Sequence, residues 1–368
     1  MADALNNQKM ADLLPYSNRS VVWAGVRKLE IRQQPIRVPN DDEVLVEVIT
    51  TSICGSDCHN WDSPNVSREL ILGHESAGLI KTIGKNVTDR FVGQCVAIEP
   101  GFSCRECEFC GRGKQNICSR LKYYGMDPTD GTLSQYFTCR ASNTVPIPED
   151  VSWEEAGSIQ PLAIAVQVAR RASLNPSQSL AIFGCGPLGL LILAVAKAYG
   201  VKKICMFDIE ESRTRFAESY GADVGIVTPR NSDPSQDILS FSQHYAREVI
   251  AKYGLGYGFD VAIEASGAEI CATMAICMLK AGGTCIQAGL GRPMASLPLF
   301  LITANELDVK GTVRYTHGCF EDAISLLSTK KVDLKPLITS TYPLTQANEA
   351  FEAQHARRDI KIVIFNQM

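Results

Sequence analysis

Four cysteines fall within one short stretch, CRECEFCGRGKQNIC, at positions 104, 107, 110 and 118. Thiols at such spacing can pair as disulfides, act as a redox couple or cage a metal. The chain holds 14 cysteines, and its N-terminus shows no basic stretch followed by an apolar block. A disulfide scaffold is therefore disfavoured, because the cytosol keeps thiols reduced. Most of the others, such as Cys205, Cys271 and Cys277, sit in apolar runs and read as small buried hydrophobes. The cluster instead lies in a polar loop with glycines, where thiols have no core to fill. Four thiolates there can surround zinc tetrahedrally at about 2.3 Å and close it to water. A structural zinc is the expectation; a CxxC redox pair is the runner-up, and it needs a helix N-terminus that the sequence does not announce.

Two further constellations carry chemistry. CGSDCH begins at Cys54, and GHESAG supplies His74 and Glu75 twenty residues on. Alone, a His-Glu pair is as compatible with a satisfied core histidine and a solvated glutamate as with a metal site. The stretch GCGPLG (184–189) follows an apolar run and opens another. Gly184 permits a tight turn, Gly186 lets backbone approach a pyrophosphate, and Gly189 lets the helix pack close to its strand. Asp208 ends the next apolar run, where a carboxylate can bind the adenosine ribose and repel a 2′-phosphate, favouring NAD over NADP. Arg213 tempers that preference, since a guanidinium can face ribose or phosphate.

The elements that must position these residues form two textures. Residues 20–150 offer short alternating runs, EVLVEVITTS, ESAGLIKTIG, GQCVAIEPG and LSQYFTC, which predict a mostly β domain. From about 160, SLAIFGCGPLGLLILAVAKAYG, KICMFDI, ESRTRFAESYGA, VGIVT, a helix within 234–253, FDVAIEAS, a helix over 268–280 and GTCIQAGL alternate strand with helix. That alternation predicts a parallel sheet covered on both faces. Beyond 305 it fades into LDVKGTVRY, a helix near 319–330 and a last strand, IKIVIF, a tail able to close back onto the first domain. At 368 residues there is room for two cores. The net charge of −4 offers nothing to nucleic acid or anionic lipid. No apolar run is long enough to span a bilayer, and no retention or peroxisomal address is visible. A cytoplasmic protein is the expectation.

Taken together, these motifs, with FDIEESR, AIEASGAE, GGTCIQAGLG and VKGTVRY, resemble the zinc-dependent medium-chain dehydrogenase/reductases, most closely the sorbitol and xylitol dehydrogenase branch. The resemblance covers about residues 20–366. It implies an α/β fold with a GroES-like catalytic domain over 1–160 and 304–368, and a Rossmann NAD-binding domain over 161–303. It implies a catalytic zinc on Cys54, His74 and Glu75, a structural zinc on Cys104, Cys107, Cys110 and Cys118, and Asp57 orienting the histidine. Ser56 and His59 match a proton relay. Gly184, Gly186, Pro187, Leu188, Gly189, Asp208, Arg213, Ala288, Gly289 and Leu290 match cofactor contacts. Asn60, Tyr123, Gln160, Arg314 and Tyr315 match the substrate side. The activity implied is hydride transfer between NAD(H) and a secondary alcohol or ketone, most closely a polyol, in a homodimer or homotetramer. Zinc would acidify the alcohol in one direction and polarise the ketone in the other.

Two residues depart from the branch: Gln160 stands where polyol dehydrogenases carry glutamate near the zinc, and Asn60 where they carry tyrosine. Gln160 removes a negative charge, so the expectation is either a stronger Lewis acid or an amide that merely hydrogen-bonds the zinc water with little effect on it. Both changes touch the substrate pocket and keep a larger or less polar secondary alcohol in play. A relative that binds zinc and NAD without turnover is the remaining alternative. The stretch 230–258 is longer than the branch requires and reads as a surface excursion.

Overall fold

The computed structural model describes residues 17–64, 67–230 and 237–368. The chain divides into two compact units. The first unit begins with a hairpin of β1 (Asn18–Gly25) and β2 (Lys28–Gln34), followed by the ten-residue β3 (Glu43–Ser52). Helix α1 (Gly55–Trp61) comes next, then β4 (Leu70–Ile71), β5 (Glu75–Ile83), β6 (Cys95–Ile98) and β7 (Gly101–Phe102). The one-turn helix α2 (Glu108–Gly111) leads to β8 (Lys122–Tyr123), β9 (Tyr136–Arg140), β10 (Thr144–Pro146) and the short α3 (Trp153–Ala156). Alternation explains the strands: in β3, Val44, Val46 and Val48 are buried on one face of the sheet. Through α4 (Ile159–Ala172) the chain leaves this unit.

The second unit, Leu162–Tyr315 with Lys331–Asp333, alternates as the sequence predicts. Its elements are β11 (Ser179–Phe183), α5 (Pro187–Ala198), β12 (Lys203–Asp208), α6 (Glu211–Tyr220) and β13 (Val224–Val227). They continue with α7 (Ile238–Lys252), β14 (Phe259–Glu264), α8 (Glu269–Cys277), β15 (Leu279–Gln287), α9 (Leu299–Ala304) and β16 (Asp308–Gly311). The sheet is wholly parallel in the order β13-β12-β11-β14-β15-β16. This is the doubly wound arrangement, whose ligands lie outside the carboxyl ends of the strands where the order reverses, between β11 and β14. Phe183 and Phe207 stack at 4.5 Å in its core, with Phe259 edge-on to Phe207.

Two sequence expectations change here. The stretch 230–258 is no mere excursion. Residues 231–236 lie outside those described, but α7 sends Tyr245, Ala246 and Val249 into the core of the sheet. The helix itself falls within the predicted 234–253; polar residues on its outer face concealed only its burial. The second unit also extends past 304, because β16 pairs with β15 from Asp308 to Gly311.

The tail returns to the first unit as α10 (Cys319–Ser328), β17 (Ile338–Pro343), α11 (Ala347–His355) and β18 (Lys361–Phe365). Strand β18 lies beside β3, within a seven-stranded sheet ordered β10-β6-β5-β3-β18-β17, with β9 also on β3. Helix α11 packs Phe351 against Trp61 of α1, with ring centroids 5.8 Å apart and both side chains fully buried. Each such burial contributes about 1.5–3 kcal/mol, so the last thirty residues anchor the helix that follows Cys54. Among the described residues no helix is long and apolar enough to cross a membrane.

Candidate functional site

Strand register assembles the first cluster. Ser52, the last residue of β3, lies opposite Glu75 of β5 on one side and Val363 of β18 on the other. The end of β3 thus meets the start of β5, with β18 alongside, and Cys54, His74 and Glu75 sit at this junction with ligand atoms all within 4.8 Å of one another. A thiolate, an imidazole and a carboxylate so placed suit a borderline ion such as zinc. His74 and Glu75 are buried, while Cys54 is half-exposed.

Asp57 organises the cluster from beneath. It sits in the first turn of α1, where its carboxylate accepts the Cys54 N–H at 3.0 Å and the Gly73 N–H at 3.1 Å. Its Oδ1 lies 3.2 Å from His74 Nδ1, which leaves Nε2 for the ion. Burial alone would raise the Asp57 carboxyl, but the facing imidazole and the two N–H groups outweigh it and hold it below its ordinary range. Burial likewise opposes a charged His74, yet Asp57 and Cys54 together raise it well above its usual value. The imidazole is basic at this position, as a good metal ligand should be.

Glu75 has a partner that sequence reading missed. Its carboxylate makes a very short contact with the Lys361 ammonium at the start of β18, and Lys361 also donates to the Ile53 carbonyl at 3.2 Å. Both side chains are buried. A lysine opening a strand reads as a solvated edge residue, so no local signal announces this pair.

The remaining first-unit candidates surround the cluster. Ser56 donates to Cys54 Sγ at 3.2 Å. Ser56, His59 and Asn60 share one face of α1 at i, i+3 and i+4, with His59 exposed and the other two half-buried. Ser56 and His59 are not hydrogen-bonded to one another. Tyr123 sets its ring edge-on to His74 at 5.6 Å and accepts from Gln160 Nε2 at 2.7 Å. Gln160 is only 3% exposed, and its Oε1 has no hydrogen-bond partner. Leaving such an oxygen unpaired costs about 1–3 kcal/mol, so it calls for a donor from a ligand. Arg314 and Tyr315 belong to the second unit; Arg314 holds a left-handed φ of 52°, and Tyr315 is buried.

The four-cysteine loop closes on itself. Its sulfurs stand 3.5 Å (Cys107–Cys110), 3.5 Å (Cys104–Cys118), 3.8 Å (Cys107–Cys118) and 3.9 Å (Cys104–Cys110) apart. A tetrahedron with ~2.3 Å zinc–sulfur bonds has edges of about 3.8 Å, so the four fit zinc, and the separations are far too long for disulfides. A one-turn helix, unseen in the sequence, does begin at Cys107. There the Cys110 N–H draws the Cys107 thiol down, but burial and the neighbouring sulfurs outweigh it and push it up to about 11. Cys104, held by the Glu106 N–H, is drawn down to about 6.

In the second unit, β11 runs into the glycine turn and α5, with Pro187 at the first helical position. Gly184 has φ +103°, and a Cβ on Gly189 would stand 1.8 Å from the Gly184 carbonyl oxygen. These two glycines serve turn and packing. A Cβ on Gly186 would meet nothing within 4 Å, so its bareness leaves room for a ligand at the helix N-terminus, as a pyrophosphate requires. Asp208 ends β12 and accepts from the N–H of Cys185 at 2.8 Å and of Glu210 at 3.0 Å, which fixes its carboxylate beside the turn. Leu188 and Arg213 are half-buried on the helices that follow β11 and β12. Ala288, Gly289 and Leu290 follow β15, with Leu290 91% exposed.

Comparison with known proteins supplies an independent measure. Residues 40–149 match the family described as the alcohol dehydrogenase GroES-like domain, and residues 187–329 that described as zinc-binding dehydrogenase. The chain is 39% identical over 353 residues to D-xylulose reductase A of Aspergillus niger, covering 94% of this chain and 96% of that protein. Among solved structures it resembles an Escherichia coli alcohol dehydrogenase in complex with NADH, at 27% identity and TM-score 0.86, over 95% of this chain and 100% of the other. It also resembles L-idonate 5-dehydrogenase of Escherichia coli at 27% identity and TM-score 0.83, over 95% and 98% of the two chains.

Two outcomes follow from this geometry. Cys110→Ser and His74→Ala should each lower zinc from two atoms per chain to about one, read by atomic emission after dialysis; two atoms retained in either variant would count against the corresponding cage. Lys361→Met strands a buried carboxylate and should cost the metal-free protein about 3–5 kcal/mol. Urea titration in chelator measures this, and zinc should restore part of the loss.

Proposed function

We propose that this chain, which belongs to the zinc-dependent medium-chain dehydrogenase family, is an NAD-dependent polyol dehydrogenase interconverting a sugar alcohol and its ketose. The observation that carries the reading is the convergence of Cys54, His74 and Glu75 within 4.8 Å where the end of β3 meets the start of β5. The D-xylulose reductase named among its relatives and the L-idonate dehydrogenase among similar structures support a polyhydroxylated substrate. The first unit, on this reading, holds both zinc ions and the second the NAD.

Zinc on Cys54, His74 and Glu75 supplies Lewis acidity towards the substrate oxygen, and NAD supplies the hydride acceptor. The protein's own groups do the rest. Asp57 keeps His74 oriented. Ser56, next to Cys54, and His59, on the exposed part of the same helical face, carry the hydroxyl proton outward once substrate draws the serine away from the thiolate. Gln160 Oε1, anchored through Nε2 on Tyr123, accepts from a substrate hydroxyl, while Asn60 offers amide groups on the same face as Ser56. Asp208 selects the unphosphorylated adenosine ribose.

A homo-oligomer belongs to the same reading. Strand β16 is an open sheet edge, and Leu299, Phe300, Val309 and Val313 around it are exposed, a stretch that a second copy can cover. The fourteen cysteines, with those of the described residues all free, suit a reducing, cytoplasmic setting.

A panel of xylitol, sorbitol, simple secondary alcohols and the matching ketones, with NAD and NADP, tests the reading by nicotinamide absorbance. Polyols with NAD should give the highest kcat/KM. Preference for apolar alcohols would move the assignment to a larger, less polar substrate, and activity confined to NADP would remove the role given to Asp208. Gln160→Glu adds a negative charge near the ion and should shift the acidic limb of the kcat/KM profile upward by about one pH unit. Superimposable profiles would show that Gln160 acts by hydrogen bonding alone.

A further inference from the structure

The second unit contains a buried carboxylate that no step above uses. Glu264, the last residue of β14, has no exposed surface. Its Oε1 accepts the Ser266 N–H at 2.7 Å, the Ser266 hydroxyl and the Gly267 N–H at 3.0 Å. Its Oε2 accepts the Gly267 N–H at 3.0 Å and the Gln287 side-chain amide at 2.7 Å. The Glu264 carbonyl also receives the N–H groups of Ala288 and Gly289, at 2.9 and 2.8 Å. Gln287 then ties the assembly to the Gly289 carbonyl at 2.9 Å. One residue thus holds together the loops that leave β14 and β15.

The loops are locked at backbone distance. A Cβ on Gly289 would lie 2.5 Å from Glu264 Oε2, and one on Gly291 would lie 2.0 Å from the Gly267 carbonyl oxygen. Every partner of the carboxylate is a neutral donor, and among the described residues no lysine, arginine or histidine pairs with it. Burying an unpaired charge is costly. A neutral amide could bridge two loops without that cost, so the charge itself asks for a use.

Sheet order says what lies above it. Asp208 marks the adenosine end at β12 and the glycine turn marks the pyrophosphate at β11. A dinucleotide that continues in the same direction reaches the carboxyl ends of β14 and β15 with its nicotinamide. That ring is cationic when oxidised and neutral when reduced. Resting on the NAD reading above, we propose that Glu264 is a positioning residue that shapes the nicotinamide half-site and whose buried charge favours the oxidised cofactor over the reduced one.

Binding, rather than turnover, tests this. Kd values for NAD and NADH are measured on the zinc-loaded protein by calorimetry and NADH fluorescence. Glu264→Gln should raise the ratio Kd(NAD)/Kd(NADH) roughly fivefold or more, as removal of one nearby unit charge predicts. Gln287→Lys neutralises the carboxylate while leaving Glu264 in place, and it should move the ratio the same way even if Glu264→Gln folds poorly. Gln287→Leu removes a hydrogen bond but no charge; it should weaken both ligands alike. A ratio unchanged within twofold in both charge variants, or an equal change in Gln287→Leu, would overturn the proposal. Wild-type protein that binds neither NAD nor NADH would instead bring down the cofactor assignment itself, a result visible before any variant is made.

Discussion

Charge neutrality in a buried place governs the first unit. Asp57, His74, Glu75 and Lys361 are all withdrawn from water, where an uncompensated ion costs several kcal/mol. On the proposed zinc assignment, a Cys54 thiolate and the Asp57 and Glu75 carboxylates would balance one ammonium and one divalent ion, with His74 neutral. Glu75 and Lys361 form a buried ion pair, and Asp57 with Cys54 raises the affinity of His74 for a proton against the opposing effect of burial.

That balance depends on register. The meeting of β3, β5 and β18 puts donors that are far apart in the chain beside one another, and a slip of one residue in any of these strands would turn them to the other face. The core under α1 guards against such a slip. Trp61 is packed by Phe351 of the tail and gives its carbonyl to the Trp23 indole N–H at 3.1 Å. The C-terminal segment thus supports the Cys54–His74–Glu75 cluster twice, through the Lys361–Glu75 pair directly and through Phe351 packed on Trp61.

The second unit solves a different problem, how backbone can approach a large anionic ligand. Its glycines divide the labour: Gly184 and Gly189 let strand and helix close up, Gly186 leaves space, and Gly267, Gly289 and Gly291 let two loops touch around Glu264. Helix N-terminus and buried carboxylate then present opposite polarity, the one towards phosphates and the other towards a ring that changes charge during the reaction.

Much of this was legible in the chain. Cys104, Cys107, Cys110 and Cys118 lie close in sequence, so their cage is nearly a local property, and the glycine turn between an apolar strand and an apolar helix is another. The β3, β5, β11, β12 and β14 segments carry their burial pattern in their own residues. Helix α7 was legible as a helix, but its packing into the core was not, because its apolar stripe is narrow and most of its surface is polar. What only the tertiary structure decided are partnerships across long distances: Lys361 with Glu75, 286 residues apart, and Gln287 with Glu264. Periodicity records which face of an element is buried but not which charge waits on the neighbouring strand. A lysine at a strand end and a glutamate closing a hydrophobic run look like solvated residues until the sheet is assembled, because their burial is tolerable only once the partner has arrived.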